Sequence, residues 1–315
     1  MRRYPAAIAL SSNWKRAAPM SRKYRIGLAL GSGSARGWAH IGAIRALEEQ
    51  GVKPDVICGT SIGALVGAVY ASKQLDELEA WVTGLAWTKV VRLMDITWKG
   101  GLIRGQRLFN LLRATFRDMD IAELDVVFGA VATELNTGRE IWMRQGQLLD
   151  VVRASIAMPG LFTPVVRNGT ILVDGGLVNP VPVSMCRALG AEVVIAVDLS
   201  WGKLGPYRSR NRDLPAKAEE PSWFDRMRPG WLGTVRAKDE EPNIPSIFEV
   251  FNTALDIVEQ RVARSRLAGE PADILITPLL PNFGTMEYHR AKEAIAEGRI
   301  AVERMMPLIQ QVVLQ

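Results

Sequence analysis

The feature that most constrains this chain is Gly59-Thr60-Ser61-Ile62-Gly63, a G-x-S-x-G pentapeptide. It lies between the apolar run Val56-Ile57-Cys58 and the small, apolar stretch Ala64–Ala71. That order reads as strand, sharp turn, helix. A serine lifted out of such a junction sits on strained backbone, and a Cβ on either flank crowds the turn. Gly59 and Gly63 therefore read as the flanks of a nucleophile elbow. Upstream, Gly31-Ser32-Gly33-Ser34-Ala35-Arg36-Gly37 lies between the apolar run Ile26–Leu30 and the helical pattern His40–Gln50. A glycine-rich turn that opens a helix offers free backbone N–H groups to a negative oxygen. One segment supplies a nucleophile and the other an anion hole, a pairing that points to acyl transfer.

Both segments also have blander readings. Thr60 or Ser61 could simply cap the helix that follows. The glycine turn resembles a dinucleotide fingerprint, but Arg36 stands where the third glycine belongs. Gly59-Thr60-Ser61 also occupies the point where a ribose-binding acid is expected. The Gly-Lys-Ser/Thr of a P-loop is missing there too.

From Tyr24 to about Ser200 strand and helix patterns alternate, the signature of an α/β fold with a largely parallel sheet. Strands are expected at 25–31, 55–59, 125–133, 139–143, 170–173 and 192–198. Helices are expected at 36–50, 61–73, 75–85, 105–116, 147–157 and 182–189. Asn136-Thr137-Gly138 marks a hairpin between the third and fourth strands. Residues 201–245 break the pattern: they are rich in Pro, Gly and charge, carry Trp201, Trp223 and Trp231, and read as a mobile insertion or lid. A helix from Ile244 to Leu267, a strand at 273–277 that rejoins the sheet, and one or two helices over 286–313 complete the chain. Residues 1–23 read as a disordered basic extension, with Met20 an alternative start. Residues 24–315 read as one domain.

Composition limits the chemistry. A net charge of +6 suits anionic partners, lipid head groups among them, but the basic residues are too dispersed for a nucleic-acid surface. Two cysteines, Cys58 and Cys186, make neither a disulfide framework nor a metal cluster, which points to a reducing, cytoplasmic setting. With only His40 and His289, a histidine-rich metal site is excluded. No metal or other cofactor is expected. No apolar run approaches the length of a membrane span.

A serine nucleophile needs a base. Chain order permits a triad of Ser61, Asp174 and His289, but His289 lies in the polar start of a helix, Glu287-Tyr288-His289-Arg290. Few strands precede Ser61, unlike an ordinary α/β-hydrolase. His40 falls in a helix packed on the sheet and reads as a buried structural histidine. Asp174 ends the apolar strand Ile171-Leu172-Val173 and is followed by two glycines, at the carboxyl end of a strand, where α/β sites form. Asp198, also at a strand end, is the reserve candidate. In isolation, Asp174-Gly175-Gly176 would pass for a turn.

Taken in order, these motifs resemble the patatin-like phospholipases. The resemblance rests on Gly33, Arg36 and Gly37 of the glycine turn, on Gly59-Thr60-Ser61-Ile62-Gly63, and on Asp174-Gly175-Gly176. Gly37–Gly42 and Ala154–Gly160 resemble the bacterial, RssA-like branch. The resemblance covers roughly residues 26–200. It implies a three-layer α/β/α fold with a mostly parallel central sheet. It further implies a calcium-independent lipid acyl hydrolase using a Ser-Asp dyad. Carried over by motif, Ser61 is the nucleophile, Asp174 its base, the N–H groups of Ser32, Gly33 and Ser34 the oxyanion hole, and Arg36 the brace of that loop. The substrate is a lipid ester, with peripheral contact to an anionic membrane, at its inner face, as a further expectation. Ser32 and Ser34 depart from the family's unbroken glycine run, and a catalytically weak lipid-binding or regulatory protein on the same scaffold is the alternative.

Overall fold

The structure is a computed structural model, describing residues 24–86, 88, 90, 95, 103–201 and 247–313. The N-terminal extension expected over 1–23 and the lid expected over 201–245, Trp201 apart, lie outside the described residues.

Among the described residues, eight strands form one sheet: β1 Ile26–Leu30, β2 Val56–Thr60, β3 Val127–Glu134, β4 Glu140–Met143, β5 Val165–Arg167, β6 Thr170–Asp174, β7 Val193–Val197 and β8 Ile274–Ile276. The order is β5-β6-β3-β2-β1-β7-β8, with β4 paired to β3. The five strands from β3 to β8 along this order run parallel. β4, β5 and β6 attach in antiparallel pairs. The helices are α1 Ala39–Glu49, α2 Ile62–Ala71, α3 Leu75–Thr83, α4 Gln106–Thr115, α5 Leu148–Ser155, α6 Val183–Ala188, α7 Ile247–Gly269 and α8 Ala291–Val313.

β1, β2 and β7 are buried along their whole length. Their continuous apolar runs are what a strand covered on both faces requires. Alternation along them divides the core. Leu28, Leu30, Ile57 and Ile195 face α1, α2, α5 and α8, while Ala29, Cys58, Val194 and Ala196 face α6 and Ala263 of α7. The result is helix, sheet, helix: the three-layer arrangement expected from the resemblance.

The sequence reading placed most elements within two or three residues. It missed β5, a three-residue strand joined to β6 through Asn168 and Gly169, both at positive φ. A strand that short has no period to detect, although the Asn-Gly pair is a hairpin signal. The sheet is largely parallel as expected, and β6, the strand that ends at Asp174, is one of its antiparallel members, paired to β3.

The C-terminal helix is fixed by two glycines. A Cβ on Gly42 of α1 would lie 1.8 Å from the carbonyl oxygen of Ile295, and one on Gly298 of α8 would lie 2.0 Å from that of Ala39. The two helices thus cross backbone to backbone, closing the layer that covers β1. Gly42→Ala is expected to force them apart and cost about 1–3 kcal/mol of stability, as other overpacked cores do. A lowered urea midpoint with an unchanged slope checks this.

Candidate active site

Ser61 stands at the tip of β2 with φ 56° and ψ −123°, an uncommon conformation for a residue with a side chain. The glycines around it are required for space. A Cβ on Gly59 would lie 2.4 Å from Cα of Ala64, and one on Gly63 would lie 2.2 Å from the carbonyl oxygen of Leu30. The turn is anchored by Ser155, fully buried at the end of α5. The Ser61 N–H donates to Ser155 Oγ at 2.9 Å, and that hydroxyl donates to the Val131 carbonyl at 2.7 Å. Ser61 also directly precedes α2, so its side chain lies at the positive end of that helix.

Sheet register brings Asp174 alongside. Thr60 pairs with Val131, and the next residue of β3, Ala132, pairs with Asp174. β6 therefore enters from beyond the edge of the parallel strands and stops level with Ser61. The expected placement is reached, but by an antiparallel strand. Ser61 Oγ donates to Asp174 Oδ2 at 2.6 Å. Both residues are buried, Asp174 to 2% exposure.

Asp174 is held on every side. Its N–H donates to Ala157 O at 2.9 Å, its carbonyl accepts from Thr133 Oγ1 at 2.7 Å, and Oδ1 accepts from the Gly176 N–H at 2.7 Å. Gly175 lies so close to β3 that a Cβ there would sit 2.3 Å from the Val131 carbonyl oxygen. The Asp-Gly-Gly sequence is thus both a turn and a carboxylate mount.

The glycine turn forms the opposite wall. The Ser32 N–H donates to Pro180 O at 2.8 Å, so it is committed to the fold and is not open to a ligand. Among the described residues, the N–H groups of Gly33 and Ser34 have no acceptor. Ser34 takes a left-handed φ of 51° despite its side chain. Its hydroxyl hydrogen-bonds Tyr288. Burial, and then the charge of Asp174, hold the Tyr288 hydroxyl protonated well above the usual tyrosine range. Arg36 is buried and its guanidinium donates to the carbonyl of Phe283, tying the turn to the segment before α8. Gly37 is needed because a Cβ there would run into the Ile62 side chain at 2.1 Å.

Behind the turn lies a carboxylate that the sequence reading did not single out. Glu259 of α7 is 6% exposed and accepts from Ser32 Oγ at 3.1 Å. Its Oε1 would lie 2.6 Å from a Cβ on Gly176. Ser155 falls in the family-like segment Ala154–Gly160, whereas Thr133, Tyr288 and Glu259 act on the site from distant points of the chain that no local motif marks.

The other base candidates are elsewhere. His289 is exposed, in the short 3-10 turn Tyr288–Arg290. Asp198 accepts from the Ser200 N–H at 2.8 Å at the end of β7. His40 is fully buried with Nε2 2.8 Å from Gly31 O. A carbonyl only accepts, so Nε2 carries the proton. Burial lowers this histidine's pKa from 6.5 to about 4, opposed by the bond to Gly31, so the ring is neutral.

Ser34, Ser61, Ile62, Met158, Leu161 and Met286 are among the residues that line a largely apolar cavity of about 100 Å³. Among the described residues no group of three or more His, Cys, Asp or Glu could hold a metal ion. Cys58 and Cys186 are free and buried, in mutual contact. None of the described helices is long and apolar enough to cross a membrane.

The family model described as patatin-like phospholipase matches residues 28–187. An uncharacterized NTE family protein of Mycobacterium bovis is 34% identical, covering 87% of this chain and 89% of that protein. Lysophospholipase NTE1 of Kluyveromyces lactis is 30% identical over 94% of this chain, which spans 20% of that longer protein. The crystal structure of VipD from Legionella pneumophila aligns at a TM-score of 0.43 and 14% identity, covering 92% of this chain and 67% of that one.

The buried histidine makes a pH dependence. Below pH 6.5 the unfolded chain binds a proton on His40 that the folded chain refuses until about pH 4. Its contribution to stability is therefore full above pH 6.5 and falls as the pH drops towards 4, by up to about 1.4 kcal/mol per pH unit. His40→Gln, which retains a donor for Gly31 O, is expected to show a shallower loss than the parent in urea titrations between those limits.

Proposed function

The chain belongs to the patatin-like phospholipase family, and from that premise we propose that it hydrolyses lipid carboxylic esters with Ser61 as nucleophile and Asp174 as base. The observation that carries this reading is the 2.6 Å contact between Ser61 Oγ and Asp174 Oδ2 beside an apolar cavity.

As Ser61 Oγ attacks the ester carbonyl carbon, its proton passes to Asp174 Oδ2. The carbonyl oxygen gains the electron pair of the π bond and becomes the oxyanion. The N–H groups of Gly33 and Ser34 meet that charge, aided by the N-terminus of α2. The Ser32 N–H, included in the sequence expectation, is excluded from this role by its bond to Pro180 O. Collapse of the tetrahedral species breaks the bond to the leaving alcohol, which takes the proton from Asp174. Water then attacks the acyl-Ser61 ester, Asp174 accepts its proton, and collapse releases the carboxylic acid and restores the Ser61 hydroxyl. No step passes through a metal.

An ordinary carboxylate has a pKa near 4 and is a weak base at neutral pH. The arrangement compensates by contact distance and by holding the carboxylate still. Gly176 fixes one oxygen, leaving the other aimed at Ser61. Mutagenesis commonly assigns a large share of such catalysis to oxyanion donors. The apolar cavity suits the acyl side of a lipid ester, and lysophospholipids are the substrate class that the name of the Kluyveromyces lactis relative brings to this chain.

Ser61→Ala is expected to abolish hydrolysis of short p-nitrophenyl esters and labelling by a fluorophosphonate, with the fold intact by circular dichroism. Retained turnover in that variant would refute the proposal. Asp174→Asn is expected to lower the rate by roughly 10²–10⁴-fold, the usual weight of a general base, and His289→Ala to leave it near the parent's. Loss of activity in His289→Ala with survival of Asp174→Asn would point instead to a histidine triad.

A further inference from the structure

The first turns of helix α7 expose apolar residues while polar groups lie buried on its covered side, beside Ala263. Its covered side carries buried polar groups: Glu259, bonded to Ser32, and Gln260, whose side-chain amide donates to Ser200 O at 2.9 Å. Its solvent side is apolar. Val250 is 52% exposed, Phe251 41%, Ile257 43% and Val258 46%. Together with exposed Thr253 and Ala254 these residues follow the spacing of one helix face over the first three turns. The same face ends in Arg261 and Arg264, both exposed, and the Arg264 guanidinium lies 5.6 Å from the ring centre of Trp201, itself 48% exposed.

We propose that this face of α7 is where the protein docks on an anionic lipid surface. Three observations select a lipid surface. First, the face is continuous with the mouth of the cavity. Phe251 packs on Gly160, where a Cβ would lie 2.7 Å from its ring, and Met158 and Leu161 on either side line the cavity that reaches Ser61. Second, the chemistry is graded as a bilayer is. The apolar turns lead into two arginines and a tryptophan, residues that place charge at head groups and an amphipathic ring at the interface. Third, the helix makes this placement useful, because its covered side touches both walls of the candidate site through Ser32 and Gly176. The choice of lipid as the partner rests on the hydrolase reading above.

The test is co-sedimentation of the full chain carrying Ser61→Ala, which prevents turnover, with vesicles of equimolar phosphatidylcholine and phosphatidylglycerol. Ile257→Gln/Val258→Gln is expected to weaken partitioning about tenfold or more, since both side chains lose apolar burial. Arg261→Gln/Arg264→Gln is expected to weaken it about tenfold at low salt on these vesicles and to have no effect on pure phosphatidylcholine. A second readout does not depend on those variants. Ile257→Cys, labelled with an environment-sensitive dye while Cys58 and Cys186 stay buried, should shift its emission to the blue on vesicle addition. Unchanged partitioning in the Ile257/Val258 variant, or no shift of the dye, overturns the proposal. A parent dimer that the variant converts to monomer, with vesicle binding unaffected, also overturns it and assigns the face to a second copy. Turnover of soluble esters by the unmutated chain is scored separately, so failure of the hydrolase reading is distinguishable from failure of the docking face.

Discussion

The backbone of Ser61 is the constraint on which the rest of this structure depends. Holding a residue with a side chain at φ 56° and ψ −123° costs on the order of 1–3 kcal/mol. The conformation persists because its surroundings leave no other. β2 is clamped between β1 and β3 in parallel register up to Thr60. α2 begins at the very next residue and packs against the end of β1 so tightly that Gly63 has no room for a methyl group. Ser155 then takes the Ser61 N–H, a backbone donor that would otherwise be buried and unpaired. Strain, glycine spacing and the buried serine of α5 are parts of one device, and its product is a hydroxyl aimed at Asp174.

Asp174 depends on a different kind of order. A parallel strand beside β3 would end at the same edge as its neighbours and deliver its last residue from below. β6 arrives from the other direction, and the register pair Ala132–Asp174 decides where it stops. The carboxylate is then stiffened by Gly176 and its backbone by Thr133 and Ala157. The two histidines stand apart from this arrangement. His40 is neutral and supports the glycine turn through Gly31, while His289 is on the surface. Among the described residues Asp174 is the carboxylate hydrogen-bonded to the Ser61 hydroxyl, and its charge reaches the protonated Tyr288.

Helix α7 joins this site to the outside. Glu259 bonds the glycine turn and stands over Gly176, and Arg266 of the same helix donates to Val178 O and to Glu140, just past the Asp-Gly-Gly turn. One helix thus backs both halves of the site with its polar side. Its opposite side offers apolar residues to whatever lies beyond.

What the sequence alone determined is local. Gly59, Gly63 and Gly37 mark places where chain passes against chain, and their spacing sets strand, turn and helix without reference to anything distant. The apolar runs of β1, β2 and β7 name themselves as strands covered on both faces, and the ordered motifs sufficed to recognise the family. Tertiary structure decided the rest, because it turned on contacts between points far apart in the chain. The motifs already named Asp174 ahead of His289 and Asp198; what only the fold supplied is the contact, through the register of β6 that sets the carboxylate 2.6 Å from Ser61 Oγ. Only the fold withdrew Ser32 from the set of open N–H donors, by placing Pro180 O against it. The polar side of α7 was illegible for the same reason: Glu259 resembles any glutamate on a helix until Ser32, 227 residues away in sequence, is brought to its oxygen.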